Sequence, residues 1–413
     1  MKKITSSKFL MLLLFILPLW GCEDEMDKYY ERPDWLKGSA YAVLQKQSDY
    51  SLFVSALEKS KFFNLVKGQG LCSVFAPDNG AMNAYLKNNN YQNIDAIPEK
   101  ELNLMVGNHI VQYSYRPSDY MNFRPEGDIE AGEGSKGIYY KHKTYGQEET
   151  HVIQDPLTGK RVTIYEREKY IPVLNTNLFK TQGVKDYSYN YSYFFPGKKW
   201  EGDDNFYAAN AAIKTDGNGL PTDNGYVYLV NEVILPLRTV YSVLSDEHYS
   251  YSVFKHLYDK FTDITYNKDL SSKYAAAGDS LFLYHHKVLP KIASNWTHNQ
   301  ENGFSHNLYQ ACGTAFNSFI PNDNTLSAYL DSYFSKYDSY DEIPMLQLSF
   351  LLGNHVQARN LVLPEMLKDK RVKSSYGDLY DFDVDGAEVK ELCSNGAFYG
   401  INKVIAPAMF RSV

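Results

Sequence analysis

Three aspartates at alternating positions are the side chains best arranged to hold a cation. Asp381, Asp383 and Asp385 precede a glycine, the order in which a calcium loop begins. Such a loop also needs an apolar residue at its eighth position and a bidentate glutamate at its twelfth. Those positions are Glu388 and Leu392. Because the ligand set is incomplete, we favour a structural role for these aspartates.

A serine in the second half of the chain lies in a motif that suggests a nucleophile. Residues Gly278–Leu281 read Gly-Asp-Ser-Leu, the nucleophile block of one lipase and esterase family. In that family the block follows a buried strand, and a catalytic Asp and His come later. Here three alanines precede it and no suitable Asp-x-x-His follows. We therefore predict that the protein is not an enzyme; the block also resembles a bacterial O-glycosylation acceptor.

The histidines do not have the spacing of a metal site. His285 and His286 are adjacent, so their side chains diverge, whereas paired ligands need positions two or four apart. His109 and His355 each follow a Gly-Asn dipeptide in a similar setting. A position shared by two parts of the chain favours a structural role, such as a bond to a backbone carbonyl. We predict no metal and no cofactor.

The cysteines away from the N-terminus predict neither a disulfide framework nor a zinc site. Cys72, Cys312 and Cys393 are odd in number and have no C-x-x-C spacing. Buried free thiols are the expected state.

Composition sets the class of protein. The chain has 413 residues, enough for two or three domains, and its net charge is −7 without a basic run. Nucleic-acid binding is therefore not expected. The chain contains 36 Tyr but only 4 Trp. Tyrosine suits partly wet binding surfaces, although it also fills strands and loop packing, and both interpretations stay open.

The N-terminus has the features of a lipoprotein signal. Lys2 and Lys3 precede an apolar segment, Phe9–Trp20, that is too short to span a bilayer as a mature helix. A glycine and Cys22 follow. We predict a signal peptide over residues 1–21 and acylation of Cys22, palmitate included, which anchors the chain to a membrane. The alternative is an ordinary secretory peptide with a chance cysteine.

The residues after Cys22 indicate where the anchored protein would lie. The acidic run Glu23–Glu25 resembles the export tag of surface lipoproteins in glycan-scavenging, Bacteroidetes-like Gram-negative bacteria. That resemblance implies a surface-exposed protein anchored in the outer membrane. Residues 22–37 are expected to be a tether, and a plain solvated linker is the alternative.

Three sequence blocks occur twice and in the same order. A strand, a proline turn and a helix are spelled by Cys72–Leu86 and again by Asn317–Leu330. An apolar helix that ends in Gly-Asn-His recurs, as does an Asn-Gly block that predicts a hairpin. Repetition on this scale means two copies of one structural unit. The short connection from Pro236 to Val243 favours close packing of the two copies.

These blocks resemble the fasciclin domain. Val74–Asp78, His109–Val111 and Asn224–Pro236 match its three motifs, whereas the second copy departs at Ile320 and Gln357. The resemblance implies an α+β fold of two tandem fasciclin-like domains, each a twisted β wedge or sandwich with packed helices. In the fasciclin register the aspartate segment 381–389 becomes a strand–turn–strand hairpin.

Spacing between the blocks predicts an insertion in each domain. Domain 1 is expected over residues 38–238 with an insertion at about 115–200, and domain 2 over 239–413 with an insertion at about 265–312. Segments that the sister copy lacks should be dispensable for the fold and free to bind, since loops carry function on a rigid scaffold. The candidate ligand-binding residues are the aromatic side chains of the first insertion: Tyr187, Tyr189, Tyr191, Tyr193 and Trp200.

The sequence favours a non-catalytic, lipid-anchored surface protein that acts in adhesion or binding. The resemblance implies contact with an extracellular glycan, matrix or protein ligand. The alternative is an accessory lipoprotein that captures a glycan or peptide for an outer-membrane TonB-dependent nutrient uptake system. A transporter component would then be a partner.

Overall fold

The computed structural model describes residues 37–122, 139–146, 150–165, 169–202, 205–214, 218–276, 279–287 and 312–410. The predicted signal peptide and Cys22 lie outside these residues, as does all of the tether except Lys37. Within the described ranges, no helix is both long and apolar enough to cross a membrane.

The first repeat unit begins with four helices and two strands. In order, the elements are α1 (Ala40–Gln45), α2 (Ser51–Lys59), β1 (Cys72–Pro77), α3 (Asn79–Asn88), α4 (Glu99–Asn108) and β2 (Ile110–Gln112).

The first insertion follows β2, and two further strands then complete the unit. The predicted range contains α5 (Pro117–Asn122), β3 (Lys141–Thr144), β4 (Thr150–Gln154), β5 (Arg161–Tyr165), β6 (Lys169–Asn175), α6 (Thr176–Thr181) and α7 (Tyr187–Phe194). Two short strands, β7 (Phe206–Ala208) and β8 (Ala211–Ala212), follow it. The completing strands are β9 (Leu220–Thr222) and β10 (Gly225–Val230).

The second unit has the same order of elements and its own insertion. It starts with α8 (Val240–Leu244) and α9 (Ser252–Asp259), and the insertion supplies β11 (Thr262–Tyr266), α10 (Lys268–Tyr274) and β12 (Leu281–His286). It ends with β13 (Ala315–Pro321), α11 (Asp323–Tyr333), α12 (Met345–Gly353), β14 (Val356–Arg359), α13 (Pro364–Lys368), β15 (Val389–Cys393) and β16 (Gly396–Ile401).

The two units share one strand topology. In the first, β1 pairs with β10 in parallel and with β2 antiparallel, and β10 pairs antiparallel with β9. In the second, β13 pairs with β16 in parallel and with β14 antiparallel, and β16 pairs antiparallel with β15. The repeated blocks are therefore repeated structure. The predicted α+β fold of two tandem fasciclin-like units is confirmed.

The Asn-Gly blocks form the predicted hairpins, and a close backbone approach explains their glycines. A Cβ on Gly225 would lie 1.8 Å from the carbonyl oxygen of Cys72. A Cβ on Gly396 would lie 2.2 Å from the carbonyl oxygen of Phe316. Both distances are far below van der Waals contact, so only glycine allows the parallel strand pair to close.

The first insertion contributes strands to the core sheet, which argues against our expectation that it is dispensable for the fold. Within the described residues the sheet has eight strands in the order β8-β7-β6-β3-β2-β1-β10-β9. Of the four strands beyond β2, β3 and β6 lie within the predicted insertion, and β7 and β8 follow directly after it. Ile171, Val173 and Phe206 are fully buried in this sheet. Deleting these strands would expose β2 and its apolar neighbours to water.

The two insertions also meet in a sheet of their own. Its strand order is β11-β12-β5-β4, so two strands of the second unit lie beside two strands of the first. The parallel junction pairs Leu281 with Thr163 and Phe282 with Ile164. Backbone pairing between β12 and β5 thus links the two units.

The connection between the units is anchored by an arginine. The Arg238 guanidinium donates hydrogen bonds to Glu391 and Asp246, each at 2.6 Å. The backbone carbonyl of Arg238 accepts a 2.9 Å bond from the Ser394 N–H. The last residue of the predicted first domain is therefore fixed against the hairpin of the second unit.

Candidate functional site

The tyrosine-rich segment of the first insertion forms a helix, α7, which we call the Tyr helix. The Asp186 side chain caps it by accepting a 2.8 Å bond from the Tyr189 N–H. Such a cap satisfies one of the N–H groups that the first turn leaves unpaired. Alternating Tyr, Ser and Asn residues place aromatic rings around the helix, and this pattern requires apolar contacts on more than one side.

Three of the five candidate aromatics lie in the core. Tyr191 is fully buried, Tyr193 is 6% exposed and Trp200 is 8% exposed. They belong to an apolar cluster that extends into the second unit, where Tyr193 packs on Tyr399 with ring centroids 5.8 Å apart. The Tyr193 hydroxyl donates a 2.7 Å bond to the Val384 carbonyl. In the structure these rings join the two units.

A carboxylate of the second unit completes the start of the Tyr helix. Glu365 accepts bonds of 2.9 Å from the N–H groups of both Lys185 and Asp186, and another of 2.9 Å from the Asn190 amide. In return the Glu365 N–H donates to the Asn190 amide oxygen at 3.1 Å. The two units thus exchange hydrogen bonds at a helix N-terminus, where negative charge is stabilising.

The ionised state of Glu365 is part of this contact. Desolvation opposes ionisation, but the N–H groups of Asp186 and Lys185 outweigh it and lower the pKa of Glu365. A carboxylate with a lowered pKa stabilises the folded state at neutral pH, and that contribution is lost as the pH falls through its folded pKa.

Tyr189 lies at the edge of the contact between the units. Its hydroxyl donates to Asp385 at 2.8 Å, and the Lys368 ammonium lies 4.1 Å from its ring centroid. Burial, followed by the bond to Asp385, raises the pKa of Tyr189. Lys368 also pairs with Asp385 at 2.6 Å and lowers the pKa of that carboxyl. Lys368 therefore covers one face of the Tyr189 ring, and Asp385 accepts the hydrogen bond from its hydroxyl.

An open depression lies beside the first turn of the Tyr helix. Its volume is about 430 Å³, and its lining includes Lys185, Tyr187, Ser188 and Trp200. The partly buried Tyr187 ring stacks on Phe179 at 5.3 Å. Of the five candidate residues, Tyr187 and Trp200 line this depression. Ligand binding by the five aromatics stays a prediction.

The repeated histidines make the same pair of bonds in each unit. The Nδ1 of His109 lies 2.8 Å from the Met105 carbonyl oxygen, and its Nε2 accepts a 2.9 Å bond from the Ile234 N–H. His355 repeats this arrangement with Leu351 and Ile405 at the same two distances. The predicted structural role is confirmed. Each ring bonds the last turn of a helix to the segment that follows the final strand of its unit.

These bonds require neutral imidazoles. Because Nε2 accepts a backbone N–H, the proton must be on Nδ1, which donates to the helix carbonyl. Desolvation lowers the pKa of both His109 and His355 from 6.5 to about 4, although the bond to the carbonyl acts in the opposite direction. A proton on Nε2 would face the donor N–H and break that bond.

The aspartate segment forms ion pairs with lysines. Asp381 lies 3.1 Å from Lys370 and 3.7 Å from Lys403, while Asp385 pairs with Lys368. Across the described residues, no three His, Cys, Asp or Glu side chains are grouped so that they could hold a metal ion. The predicted turn is present at Asp385-Gly386, but the strand expected before it is not formed, and β15 follows it.

The Gly-Asp-Ser-Leu block has the wrong surroundings for a nucleophile. Ser280 is exposed in a loop that follows helix α10 and precedes strand β12. A nucleophile elbow needs the opposite order, strand then helix. The nearby His286 stacks on Tyr258 with centroids 4.0 Å apart, and its Nε2 lies 2.9 Å from the Tyr258 carbonyl oxygen.

The described cysteines Cys72 and Cys393 are free and buried, as the sequence predicts, and Cys312 is buried as well. Burial raises the pKa of the Cys72 thiol to about 12. A thiol with so high a pKa is a poor nucleophile, because the thiolate is the reactive form.

Sequence reasoning missed the residues of the second unit that face the insertion. Glu365 follows a proline in α13, and the described groups that hydrogen-bond its carboxylate belong to the first unit, so no local pattern connects it with Asp186. Arg371 is similar: its guanidinium donates to the Gln182 carbonyl of the first unit at 2.9 Å. Co-variation across related sequences is the signal that could have identified such pairs.

Comparison with known proteins finds similarity to one protein family and to solved structures. The fasciclin domain model matches residues 48–187. Among solved structures, the chain is similar to a FAS1 domain pair from the insect cell adhesion molecule fasciclin I, at 11% identity and a TM-score of 0.29, over 88% of this chain and 99% of that one. No curated protein sequence matches. Over residues 48–187 the chain therefore contains a fasciclin domain.

Proposed function

We propose that this protein is a non-catalytic, lipid-anchored cell-surface protein that mediates adhesion or ligand binding. Its anchor would be the acylated Cys22, and the run Glu23–Glu25 would direct it to the outer face of the outer membrane. The observation that carries the proposal is the fasciclin match together with a second unit of the same topology. Fasciclin domains are typically adhesion or binding modules.

The contacts between the units support a scaffold role. Glu365 caps the Tyr helix, Tyr193 packs under the second unit, and β12 pairs with β5. A surface held in one conformation loses less entropy when it binds a ligand, so its affinity is higher.

The anchor and the binding role can be tested separately. We expect cells that produce the protein to incorporate a clickable palmitate analogue into it, and Cys22→Ala to abolish this label. Protease added outside intact cells should degrade the wild-type protein. Label retained in Cys22→Ala would contradict the anchor, and full protease resistance would contradict surface exposure. Beads that carry the purified chain should adhere to matrix or to glycan-bearing surfaces more than beads that carry albumin.

A second candidate function is ligand capture beside a TonB-dependent transporter. The depression lined by Tyr187 and Trp200 favours it, because a half-exposed aromatic ring beside a hydroxyl and a lysine suits a sugar or a peptide. The partner would be an outer-membrane transporter component. Genes for such a transporter adjacent to this one would favour capture over adhesion.

Variants at the depression must leave the core intact. Tyr191→Ala or Trp200→Ala would remove a buried ring and unfold the contact between the units. Tyr187→Ala removes a partly exposed ring and is the better test on a glycan array, with Tyr85→Ala, a partly buried ring on α3, as the matched control. Unchanged capture by Tyr187→Ala would reject ligand binding at this depression.

A further inference from the structure

A second cavity lies between the two units and is separate from the depression beside the Tyr helix. Its volume is about 340 Å³, within the range of small-ligand sites. The first unit contributes Tyr140, Leu178 and Gln182, and the second contributes Leu361 and Val362 among others. We call it the interunit cleft. Neither unit alone forms both walls.

The interunit cleft is positively charged in a chain whose net charge is negative. Its lining includes Arg359, Arg371 and Lys373, and among the described residues that line it there is no Asp or Glu. Arg371 is fixed in place, because it bonds the carbonyls of Gln182 and Gly183 and lies 3.2 Å from an Asp369 oxygen. Its charge is therefore partly compensated.

Two of these cations have no partner. Within the described chain, the side chains of Arg359 and Lys373 are exposed and make neither a hydrogen bond nor an ion pair. The other long cations of this region are engaged, as Lys368 and Lys370 pair with Asp385 and Asp381. Two unpaired cations on the rim of one cavity provide an attractive potential for an anion.

The walls combine apolar and polar groups. Leu178, Val362 and Met366 provide apolar surface, while Thr181 and Asn360 provide a hydroxyl and an amide. Buried polar atoms without a partner usually have an explanation. Two of the lining side chains have one such atom, the Tyr140 hydroxyl and the Gln182 amide nitrogen, for which the described protein offers no hydrogen-bond partner.

We propose that the interunit cleft binds an acidic saccharide, with Arg359 and Lys373 holding its carboxylate or sulfate group. The amides and hydroxyls would accept and donate bonds to sugar hydroxyls, and the apolar wall would contact the ring carbons. A lone inorganic anion would use the two cations but not the wall. This inference rests on the proposed binding function and gives it a second site and a ligand class.

The test is calorimetric titration of the mature full-length protein in detergent with α-1,4-linked trigalacturonate. We expect saturable binding that weakens as salt is raised, and no heat from the neutral galactotriose or from inorganic sulfate at equal concentration. The double variant Arg359→Gln, Lys373→Gln should lose at least about tenfold in affinity. Equal binding of the neutral and charged trimers, no binding of trigalacturonate up to millimolar concentration, or binding of sulfate alone would overturn the proposal.

Matched variants separate loss of the site from loss of charge or of fold. The double variant Lys87→Gln, Arg161→Gln removes the same charges from exposed positions outside the interunit cleft and should bind within about twofold of wild type. Thr181→Trp keeps both cations but fills the cleft, and it should also abolish binding. Thr181→Trp that binds normally would place the ligand elsewhere. Unchanged trigalacturonate affinity together with normal adhesion in the Arg359, Lys373 double variant would reject this site while retaining the proposed adhesion function.

Discussion

Acidification should destabilise the protein through the two repeated histidines. Their folded pKa is about 4 and their ordinary value is 6.5, so the unfolded chain binds protons between these pH values and the folded chain does not. Stability is therefore fully present above pH 6.5 and is lost as the pH falls towards 4. Each full shift corresponds to about 3 kcal/mol, and about 2 kcal/mol of it is lost by pH 5.

The stability lost on acidification is large relative to the total free energy of unfolding. The free energy of unfolding of a domain is about 5–15 kcal/mol. The loss of about 4 kcal/mol at pH 5 from His109 and His355 together is therefore a substantial fraction of that stability. His142 and His286 contribute to the same slope, because burial lowers the pKa of His142 to about 3 and that of His286 to about 4. Differences between variants therefore isolate the repeated pair better than the absolute slope does.

The assay is urea unfolding of wild type and His355→Gln at pH 7 and pH 5. Gln is shorter in reach towards the Leu351 carbonyl, so we expect a lower stability at pH 7 and a fall between the two pH values that is about 2 kcal/mol smaller than in wild type. His248→Gln is the control, because that side chain is 93% exposed. If wild type and His355→Gln lose the same free energy on acidification, the assignment of a neutral, proton-excluding His355 is wrong.

Further predictions concern the contact between the units and the ion sites. Glu365→Ala should lower the free energy of unfolding by about 1–2 kcal/mol, because three donors at the start of the Tyr helix lose their acceptor. Glu365→Gln should lose less stability, and equal losses of the two variants in chemical denaturation would argue against the charged cap. Tyr193→Phe should lower the free energy of unfolding by about 1 kcal/mol, because the Val384 carbonyl loses its hydrogen-bond donor. Tyr187→Phe is the neutral control, and a Tyr193→Phe variant as stable as wild type would contradict that bond. Deletion of residues 115–200 should leave no cooperative thermal transition, and a folded deletion product would show that the extra strands are peripheral. Excess calcium should not raise the melting temperature, since Asp381 and Asp385 are paired with lysines.

Local patterns in the sequence predicted the repeated core well. The proline turns, the Asn-Gly hairpins and the histidine positions are short-range features whose causes lie within a few residues or in the sister copy. Both turn residues cap their helices, Asp78 through the Ala81 N–H at 2.7 Å and Asn322 through the Thr325 N–H at 3.0 Å. A short oxygen side chain suffices for this cap, which explains why the acid is not kept in the second copy.

The second copy's departure at Gln357 also has a physical reason. The sequence offered a polar residue where the first copy has Val111, and the structure buries Gln357 to 2% exposure. Its amide donates to the Lys373 carbonyl at 2.6 Å, so the polar group is satisfied by a segment absent from the first unit's edge. Such compensation depends on a distant segment and is invisible to a local pattern.

The insertions could not be placed from the sequence alone. Comparison of the copies shows where they begin and end, but not that β6 and β3 extend the sheet or that β5 pairs with β12. Long-range strand order and burial depend on what each surface meets. The alternating tyrosines therefore suggest ligand binding, whereas Tyr189 and Tyr193 of the Tyr helix contact the second unit.

The central claim is that the first insertion fastens the two fasciclin-like units into one body that presents the binding surface. The most direct measurement is urea unfolding followed by two fluorophores, one attached at exposed Lys87 in the first unit and one at exposed Lys336 in the second. We predict coincident transitions in wild type, and transitions that separate in the Glu365→Ala, Tyr193→Ala double variant, because its contacts at the Tyr helix are removed. Two well-separated transitions already present in wild type, unchanged in the double variant, would contradict the claim.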